Sequence, residues 1–584
     1  MICRPLLAAL ALLLPIAAAP AKPTPPAPRL PFAQGMVSAA DPRAAAAGAE
    51  ILRAGGSATD AVIATMLALN VVEPLHSGLG GGGFMVHSDA RGRLATYDGR
   101  EAAPAAADPY WFYADGRPLG RGAAIPGGRS VGVPGNLRLM ALAHKEHGKL
   151  PWAALFRPAI RLAQGGFAIS PRLYNFLANS RLPVVDWGRS YLYDADGKAK
   201  PVGTTLKNPD LAAMMEAIAA KGPDYFYAGP QAAKLVATVN GAARNPSKMT
   251  LADLASYRAK PRAPVCGTYR VYRICGMGPP SSGGVAVLQI LKQLERFDMA
   301  KLGKDSPVAW HLFAESSRLA YADRDTWLGD ADHVPVPVAG LLSPAYIKAR
   351  SALISPTTSI TDALPGTPPG APARKRAGPV DEHGTTDIAV IDKAGNVAEV
   401  TTTIESVAGS GLSIDGAFLN NELTDFDIVP VQDGYWTANR VQGGKRPRSS
   451  MSPTIVYGPD GKVRIAIGAA GGSTIIAQVA KALIGVLDWK LSAQDAIALG
   501  LIYAPGPVIV EKGTQAEAMV PALEAMGQHI AAVAPLGLKA NAVEVVAGKL
   551  DGGADPRSEG VVMAEDGTTR SVTRAVRPAN APSE

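Results

Sequence analysis

The junction Gly384-Thr385-Thr386-Asp387 constrains this chain most: a 30-residue Pro/Gly-rich stretch ends there and a strand-like run, Ile388-Ala389-Val390-Ile391, begins. Proline removes backbone donors and fixes φ, so residues 355–384, with six prolines before Val380, read as an exposed linker. The β-branched residues beyond it favour a pleated strand. Thr385 stands on the boundary. A threonine hydroxyl is a poor nucleophile without a base beside it, and the one histidine close in sequence, His383, lies on the linker side of Gly384. Cutting the Gly384–Thr385 peptide supplies a base from the chain itself. Thr385 becomes an N-terminus whose amine, with an ordinary pKa of about 7.7–8.0, takes the proton from its own hydroxyl. An isolated Gly-Thr-Thr more often just opens a strand, so the rest of the chain must decide.

At 584 residues and 47% apolar composition the chain can bury a large core, and its length allows two to four domain-sized units. Residues 1–21 read as a secretory signal peptide: Arg4 gives a basic start, residues 6–19 an apolar core, and Ala19-Pro20-Ala21 a small-x-small cleavage site. That core is too short to span a bilayer, and no later stretch approaches 18 uninterrupted apolar residues. The expectation is an exported protein with no stable membrane span, periplasmic or secreted, with a retained signal anchor as the alternative. The formal charge of +8 is spread along the chain, and its densest basic cluster, Arg374-Lys375-Arg376, sits in the linker. With 6% aromatics and no interleaved basic and aromatic motif, nucleic-acid binding has little support.

Cys3 would leave with the signal. Cys266 and Cys275 flank a hairpin-like run, and a two-residue turn at Arg270-Val271 sets them opposite one another at a non-hydrogen-bonded pair, where a disulfide fits an oxidising compartment. Arg-Val is a poor primed-turn dipeptide, which keeps two free thiols as the alternative.

Asp41 and Pro42 open a helix over 43–54, and Ser57 with Asp60 frames a second over 61–72. The glycine run at 77–86 contains a literal G-x-G-x-x-G, but a helix precedes it and a strand follows, the reverse of a dinucleotide site. The glycines read instead as allowing tight backbone packing or close approach to a ligand. His144-x-x-His147 has no further ligand cluster and reads as a solvated helix face rather than a metal pair. A run over 309–324 looks amphipathic. Beyond the linker come strands, a second loop at 429–448, strand-turn-strand around 454–467, and a helix over 475–487.

Several pieces meet the needs of an acyl-transferring threonine. Gly471-Gly472 follows a strand and precedes a helix, so its N–H groups suit an oxyanion. Ser449 and Ser450 offer donors for a carboxylate, Glu422 and Asp425 two acids at i and i+3, and Arg100 a two-point fork. Together they describe a site for a zwitterionic amino-acid head beside a nucleophilic threonine.

At these motifs the sequence resembles the γ-glutamyltransferases of the N-terminal-nucleophile hydrolase superfamily. The likeness runs from about Gly35 to Pro556, through residues 77–85, 100–104, 279–284, 321–324, 385–386, 420–426, 449–454 and 471–473. The resemblance implies an α+β fold, a four-layer αββα sandwich, and a precursor that cuts itself at Gly384-Thr385. The products would be a large subunit, 22–384, and a small catalytic subunit, 385–584, forming one unit. It implies Thr385 as nucleophile, Thr403 as its supporting threonine, and Gly471 and Gly472 as the oxyanion hole. Arg100, Ser449 and Ser450 match the carboxylate binders, and Glu422 and Asp425 the amine binders. It implies no metal and no organic cofactor. The expected reaction passes the γ-glutamyl group of glutathione or a related amide through a Thr385 ester to water or to an amino-acid or peptide acceptor. One departure stands out: many family members carry asparagine where this chain has Glu405, which strand alternation sets on the face of Thr403, as a third carboxylate near the substrate head. The nearest rival is an acylase of the same family acting on glutaryl or cephalosporin-type amides. An exported binding protein without activity is a more distant one.

Overall fold

The computed structural model describes residue 1, residues 31–378 and residues 384–570. The signal-peptide assignment, apart from Met1, and the positions of Cys3 and His383 lie outside the described residues.

Two antiparallel sheets stack face to face. The first has eight strands in the order Thr569–Arg570, Val561–Ala564, Met36–Ala39, Thr386–Ile391, Val397–Thr403, Gly82–Ser88, Leu94–Gly99, Lys260–Arg262. The second has six: Lys549–Ala554, Lys539–Val546, Val463–Ala470, Thr454–Tyr457, Tyr272–Gly276, Val265–Tyr269. Side chains alternate across a strand, and the Thr386–Ile391 strand uses both faces. Ile388 and Val390 pack against the helices Pro42–Arg53 and Ala58–Val72, whereas Ala389 and Ile391 pack against Ile455, Ala466 and Val543 of the second sheet. The outer face of that sheet, through Val456, Ile465 and Ile467, meets the helices Gly283–Leu294 and Ile475–Leu487. Helix, sheet, sheet, helix is an α+β architecture of four layers, the αββα sandwich. A strand covered on both sides has no polar face, which is why the sequence after Asp387 is a continuous apolar run.

The local signals are carried out by named groups. Asp41 accepts from the Arg43 N–H at 2.8 Å. Ser57 and Asp60 form a reciprocal capping box that starts the second helix at Ala58, three residues before the start read from the sequence. Two expectations are corrected. The helix around 309–324 runs Pro307–Trp327 and is buried all round from Ala309 onward, not amphipathic. Its outer side is covered by the Pro-rich linker, which is tied down rather than free: the Ile360 and Gly366 N–H groups donate to Glu315 and Asp323 at 2.7 and 2.9 Å, and Arg376 reaches Asp325 at 3.1 Å. The His144/His147 face is only partly solvated: both rings are half-buried, and His147 stacks on His87 with ring centroids 3.7 Å apart and bonds the Tyr97 hydroxyl at 2.5 Å.

Cys266 and Cys275 lie opposite one another in the hairpin and are joined by a disulfide, with Cα atoms 4.1 Å apart. The Arg270-Val271 turn holds because Arg270 takes φ +54° and is fixed there by Glu295, whose carboxylate and carbonyl accept from its backbone N–H and guanidinium at 2.9 and 2.6 Å.

Candidate active site

Thr385 is buried at the head of the central Thr386–Ile391 strand, beside the end of Val397–Thr403. Its hydroxyl lies 3.4 Å from that of Thr403, which also accepts the Glu405 N–H at 2.7 Å. The backbone entering it is unusual: Gly384 has φ +76° and Thr385 φ +95°. The left-handed region is costly for a β-branched residue, so the Gly384–Thr385 peptide is held under strain. Across from it, the N–H of Gly471 donates to the Gly384 carbonyl oxygen at 3.2 Å. Gly471 has φ +122°, and a Cβ there would fall 2.8 Å from Thr474 Oγ1 and 3.0 Å from the Gly537 carbonyl. Gly472, at φ +60°, opens the short 3-10 turn into helix Ile475–Leu487. A hydroxyl, a strained carbonyl and an amide donor on that carbonyl's oxygen are the components of acyl transfer.

These groups form one end of a cavity of about 360 Å³. Its walls contain Phe176, Ile509 and Leu536, together with charged groups that motif reading did not find. Lys539 is buried in the wall and holds both oxygens of Glu73, at 2.9 and 3.2 Å, while the Thr386 hydroxyl donates to the same carboxylate at 3.0 Å. Burial alone would raise Glu73, but Lys539, His76 and Arg172 bring it down to about 2. Burial, followed by the Lys539 charge, lowers His76 to about 3, so that ring is neutral near pH 7 and its charge acts on Glu73 only in strong acid. The only sequence signal for this group is a lysine opening a mostly apolar strand.

The expected head-group residues assemble elsewhere, around Arg100. Its guanidinium is buried and pairs with Glu422 and with Asp425, the latter at 2.6 Å, and it also donates to the carbonyls of Pro447 and Arg448 at 3.2 and 3.0 Å. Residues read as binders of opposite ends of a zwitterion are thus paired with one another. Ser449 and Ser450 follow directly in the chain. The Ser449 hydroxyl accepts the Met451 N–H at 3.2 Å, and that of Ser450 accepts from Arg324 at 2.6 Å. Beside them Glu101 is buried, which raises its carboxyl to about 8 despite the Arg100 charge.

Glu405 does not obey strand alternation. The strand stops at Thr403, and Glu405 turns with φ +75°. Its carboxylate meets Arg121 at 2.6 Å, the Ser406 hydroxyl at 2.5 Å, and the Asn421 amide. Arg121, which sequence reasoning missed, also reaches Asp425 at 3.2 Å. Glu405 therefore links the two halves of the site, with its backbone on Thr403 and its side chain in the arginine cluster.

A third group lies between the sheets. Asp387 accepts the Thr401 hydroxyl at 2.7 Å, and Glu399 approaches it from the neighbouring strand. A Cβ at Gly468 of the second sheet would sit 2.1 Å from Asp387 Oδ2 and 2.7 Å from Glu399 Oε1, so only glycine leaves room for both. Burial pushes Asp387 up to about 7, and burial with the Asp387 charge pushes Glu399 well above the carboxylate range. The pair is protonated through most of the acidic range.

A four-layer αββα sandwich with a buried threonine at the start of a central strand, facing a glycine amide, defines an N-terminal-nucleophile hydrolase. Comparison with known proteins narrows this. A sequence profile of the family described as Gamma-glutamyltranspeptidase matches residues 44–565. The glutathione hydrolase proenzyme of Escherichia coli (strain K12) is 36% identical over 541 residues, 90% of each chain. The Acylase ACY 1 proenzyme of Pseudomonas sp. (strain SE83) is 34% identical over 546 residues, 91% of this chain and 94% of that one. Among solved structures, the cephalosporin acylase from Bacillus halodurans superposes with a TM-score of 0.80 at 26% identity, covering 94% of this chain and 99% of that one. The chain belongs to the gamma-glutamyltranspeptidase family, and it is an enzyme. Among the described residues no helix is long and apolar enough to cross a membrane.

Proposed function

We propose that this enzyme hydrolyses and transfers the γ-glutamyl group of glutathione and related γ-glutamyl amides, after cutting itself at Gly384–Thr385. The observation that carries the proposal is the Gly471 N–H on the Gly384 carbonyl oxygen, beside a Thr385 hydroxyl in contact with Thr403. In the precursor, Thr385 Oγ1 attacks the Gly384 carbonyl carbon, the oxyanion forms against Gly471, and the peptide nitrogen leaves to become the Thr385 amine. Water then hydrolyses the ester, releasing the Gly384 carboxylate. The products are a large subunit, 22–384, and a small subunit, 385–584. In the mature enzyme the freed amine takes the hydroxyl proton, and Thr385 attacks the substrate γ-carbonyl with Gly471 and Gly472 on the oxyanion. The amine departs, and the γ-glutamyl ester passes to water or to an amino-acid or peptide acceptor.

The α-amino-acid head is assigned to the arginine cluster. Arg100, with Ser449 and Ser450, takes the carboxylate; Glu422 and Asp425 take the ammonium, exchanging their contact with Arg100 for the ligand. Glu405, already engaged by Arg121, tunes the charge of that cluster. Export to the periplasm through the 1–21 signal is part of the same reading, supported by the Cys266–Cys275 disulfide, which is at home in an oxidising compartment.

The test is a mature preparation examined in two ways. N-terminal sequencing should find a second chain beginning at Thr385. A γ-glutamyl anilide should be turned over faster than the glutaryl anilide that lacks the α-amine. A preference for the glutaryl compound would replace this reading with the acylase one, and active uncleaved protein would overturn the mechanism.

A further inference from the structure

The cavity at Thr385 carries a cation for which the proposed chemistry has no use. Among the described residues that line it, the charged ones are Lys539 and Arg172, with no carboxylate between them. Lys539 is spent on Glu73. Arg172, on helix Pro171–Asn179, makes no ion pair among the described residues. Its Nη1 donates to the Arg557 carbonyl at 3.0 Å, its guanidinium lies 5.3 Å from the centre of the Phe176 ring, and its Nε is buried with no hydrogen-bond partner among the described residues. Glu559 accepts the Arg172 backbone N–H at 3.3 Å rather than the guanidinium, and Glu73, whose carboxylate feels the Arg172 charge, is held by Lys539. An arginine fixed by one carbonyl and an aromatic face, with donors left over, is prepared for an anion.

Which anion follows from the layout. A substrate amide has two arms, the acyl arm and the amine arm, and both meet at Thr385. The acyl head belongs with Arg100, Glu422 and Asp425, none of which lines this cavity. The amine arm therefore lies in the cavity, along Phe176 and Leu536, with Arg172 in its wall. We propose that Arg172 binds the carboxylate of the leaving or accepting amine, so that the enzyme selects amino acids and short peptides with a free carboxylate over uncharged amines. This rests on the head-group assignment above.

The experiment compares two donors that differ at one group, γ-glutamyl-phenylalanine and γ-glutamyl-phenylalaninamide, using the mature enzyme. A charge-assisted pair of this kind corresponds to a preference of about 10- to 100-fold in kcat/KM for the acid. Arg172→Gln should reduce the acid-to-amide ratio to within about twofold, and Arg172→Lys should restore part of it. A wild-type ratio near one overturns the proposal, as does an Arg172→Gln enzyme that keeps the wild-type ratio. If Arg172→Gln does not mature, the wild-type and Arg172→Lys ratios decide, because a ratio in Arg172→Lys equal to that of wild type would show that the fork is not used. The same pair built on glutaryl separates the two readings. An enzyme that turns over only the glutaryl series, yet still prefers the acid, retracts the γ-glutamyl assignment and keeps Arg172.

Discussion

Replacing Gly384 by alanine tests the self-cleavage geometry without touching a reacting side chain. A Cβ at this position would lie 1.8 Å from the Glu405 carbonyl oxygen, and contacts below 3.0 Å are essentially never made. Either the scissile peptide or Glu405 must therefore move by about 1.2 Å, set by the gap between those two distances. Glu405 cannot yield easily: its N–H is bonded to Thr403, and its carboxylate is held by Arg121, Ser406 and Asn421. Alanine would also sit at φ +76°, which costs roughly 1–2 kcal/mol relative to glycine. In the proposed mechanism the displaced atom is the carbonyl that Thr385 attacks, and a misplacement of about 1 Å at a reacting centre costs about 100-fold in rate. Gly384→Ala should thus mature at least about 100-fold more slowly than wild type. The assay is a time course of the purified 60.3 kDa full-length chain on a denaturing gel, with N-terminal sequencing of any product. Cleavage at the wild-type rate would refute the claim that the fit of Gly384 against Glu405 positions the scissile bond.

Thr403→Val keeps the shape but removes the oxygen shared by the Thr385 hydroxyl and the Glu405 N–H. Maturation and kcat should both fall about 10- to 100-fold with KM little changed, and a variant slowed in only one of the two steps would show that Thr403 serves only that step. Arg100→Lys keeps the charge but not the fork that spans Glu422 and Asp425, so kcat/KM for γ-glutamyl donors should drop at least about tenfold while cleavage proceeds at the wild-type rate; slowed cleavage would place Arg100 in the scissile site. Asp387→Asn addresses the buried acid pair. Because the folded-state pKa of Asp387 is raised to about 7, its contribution to stability is present below the unfolded value near 4 and is lost as pH rises toward 7, at about 1.4 kcal/mol per pH unit. Asparagine should flatten the fall in Tm between pH 4 and 7, and parallel Tm profiles for the two proteins would refute the assignment.

What the sequence discloses here is what is local. Asp41, Ser57 and Asp60 cap their own helices, the apolar run after Asp387 records a strand covered on both faces, and Cys266 finds Cys275 across a turn of two residues. Thr385 and Gly471 stand out locally, one at a strand start and the other at a strand-to-helix turn, but the roles expected of them and of Thr403 rest on the resemblance to the family and not on any local pattern. The charge partners are not legible. Arg121 meets Glu405 across 284 positions and Lys539 meets Glu73 across 466, and no periodicity spans such distances. Glu405 was misplaced for a different reason: alternation holds only while the strand continues, and this one ends two residues earlier. The helix Pro307–Trp327 looked amphipathic because its polar residues answer to buried partners on the linker, which a one-dimensional pattern cannot distinguish from water.

In the proposed mechanism, where Gly471 supplies the oxyanion donor, its N–H gives a second reason, beyond the need for a free amine, for cleavage to precede catalysis. One amide donor has one good direction, and in the intact chain it is taken by the Gly384 oxygen at 3.2 Å. Gly384 also forms part of the cavity wall next to Thr385, so the precursor's own carbonyl stands where a substrate carbonyl would have to stand. The uncleaved chain is in this sense a complex of the enzyme with its first substrate. The strain at Thr385, a β-branched residue held at φ +95°, favours its breakdown, because cleavage frees its nitrogen from the peptide that fixes it. Once Gly384 leaves, the donor, the hydroxyl and the cavity become available together. On this mechanism the same oxyanion contact would then serve the intermolecular reaction without rebuilding the site, and any substitution that displaces Gly471 should impair maturation and turnover in parallel.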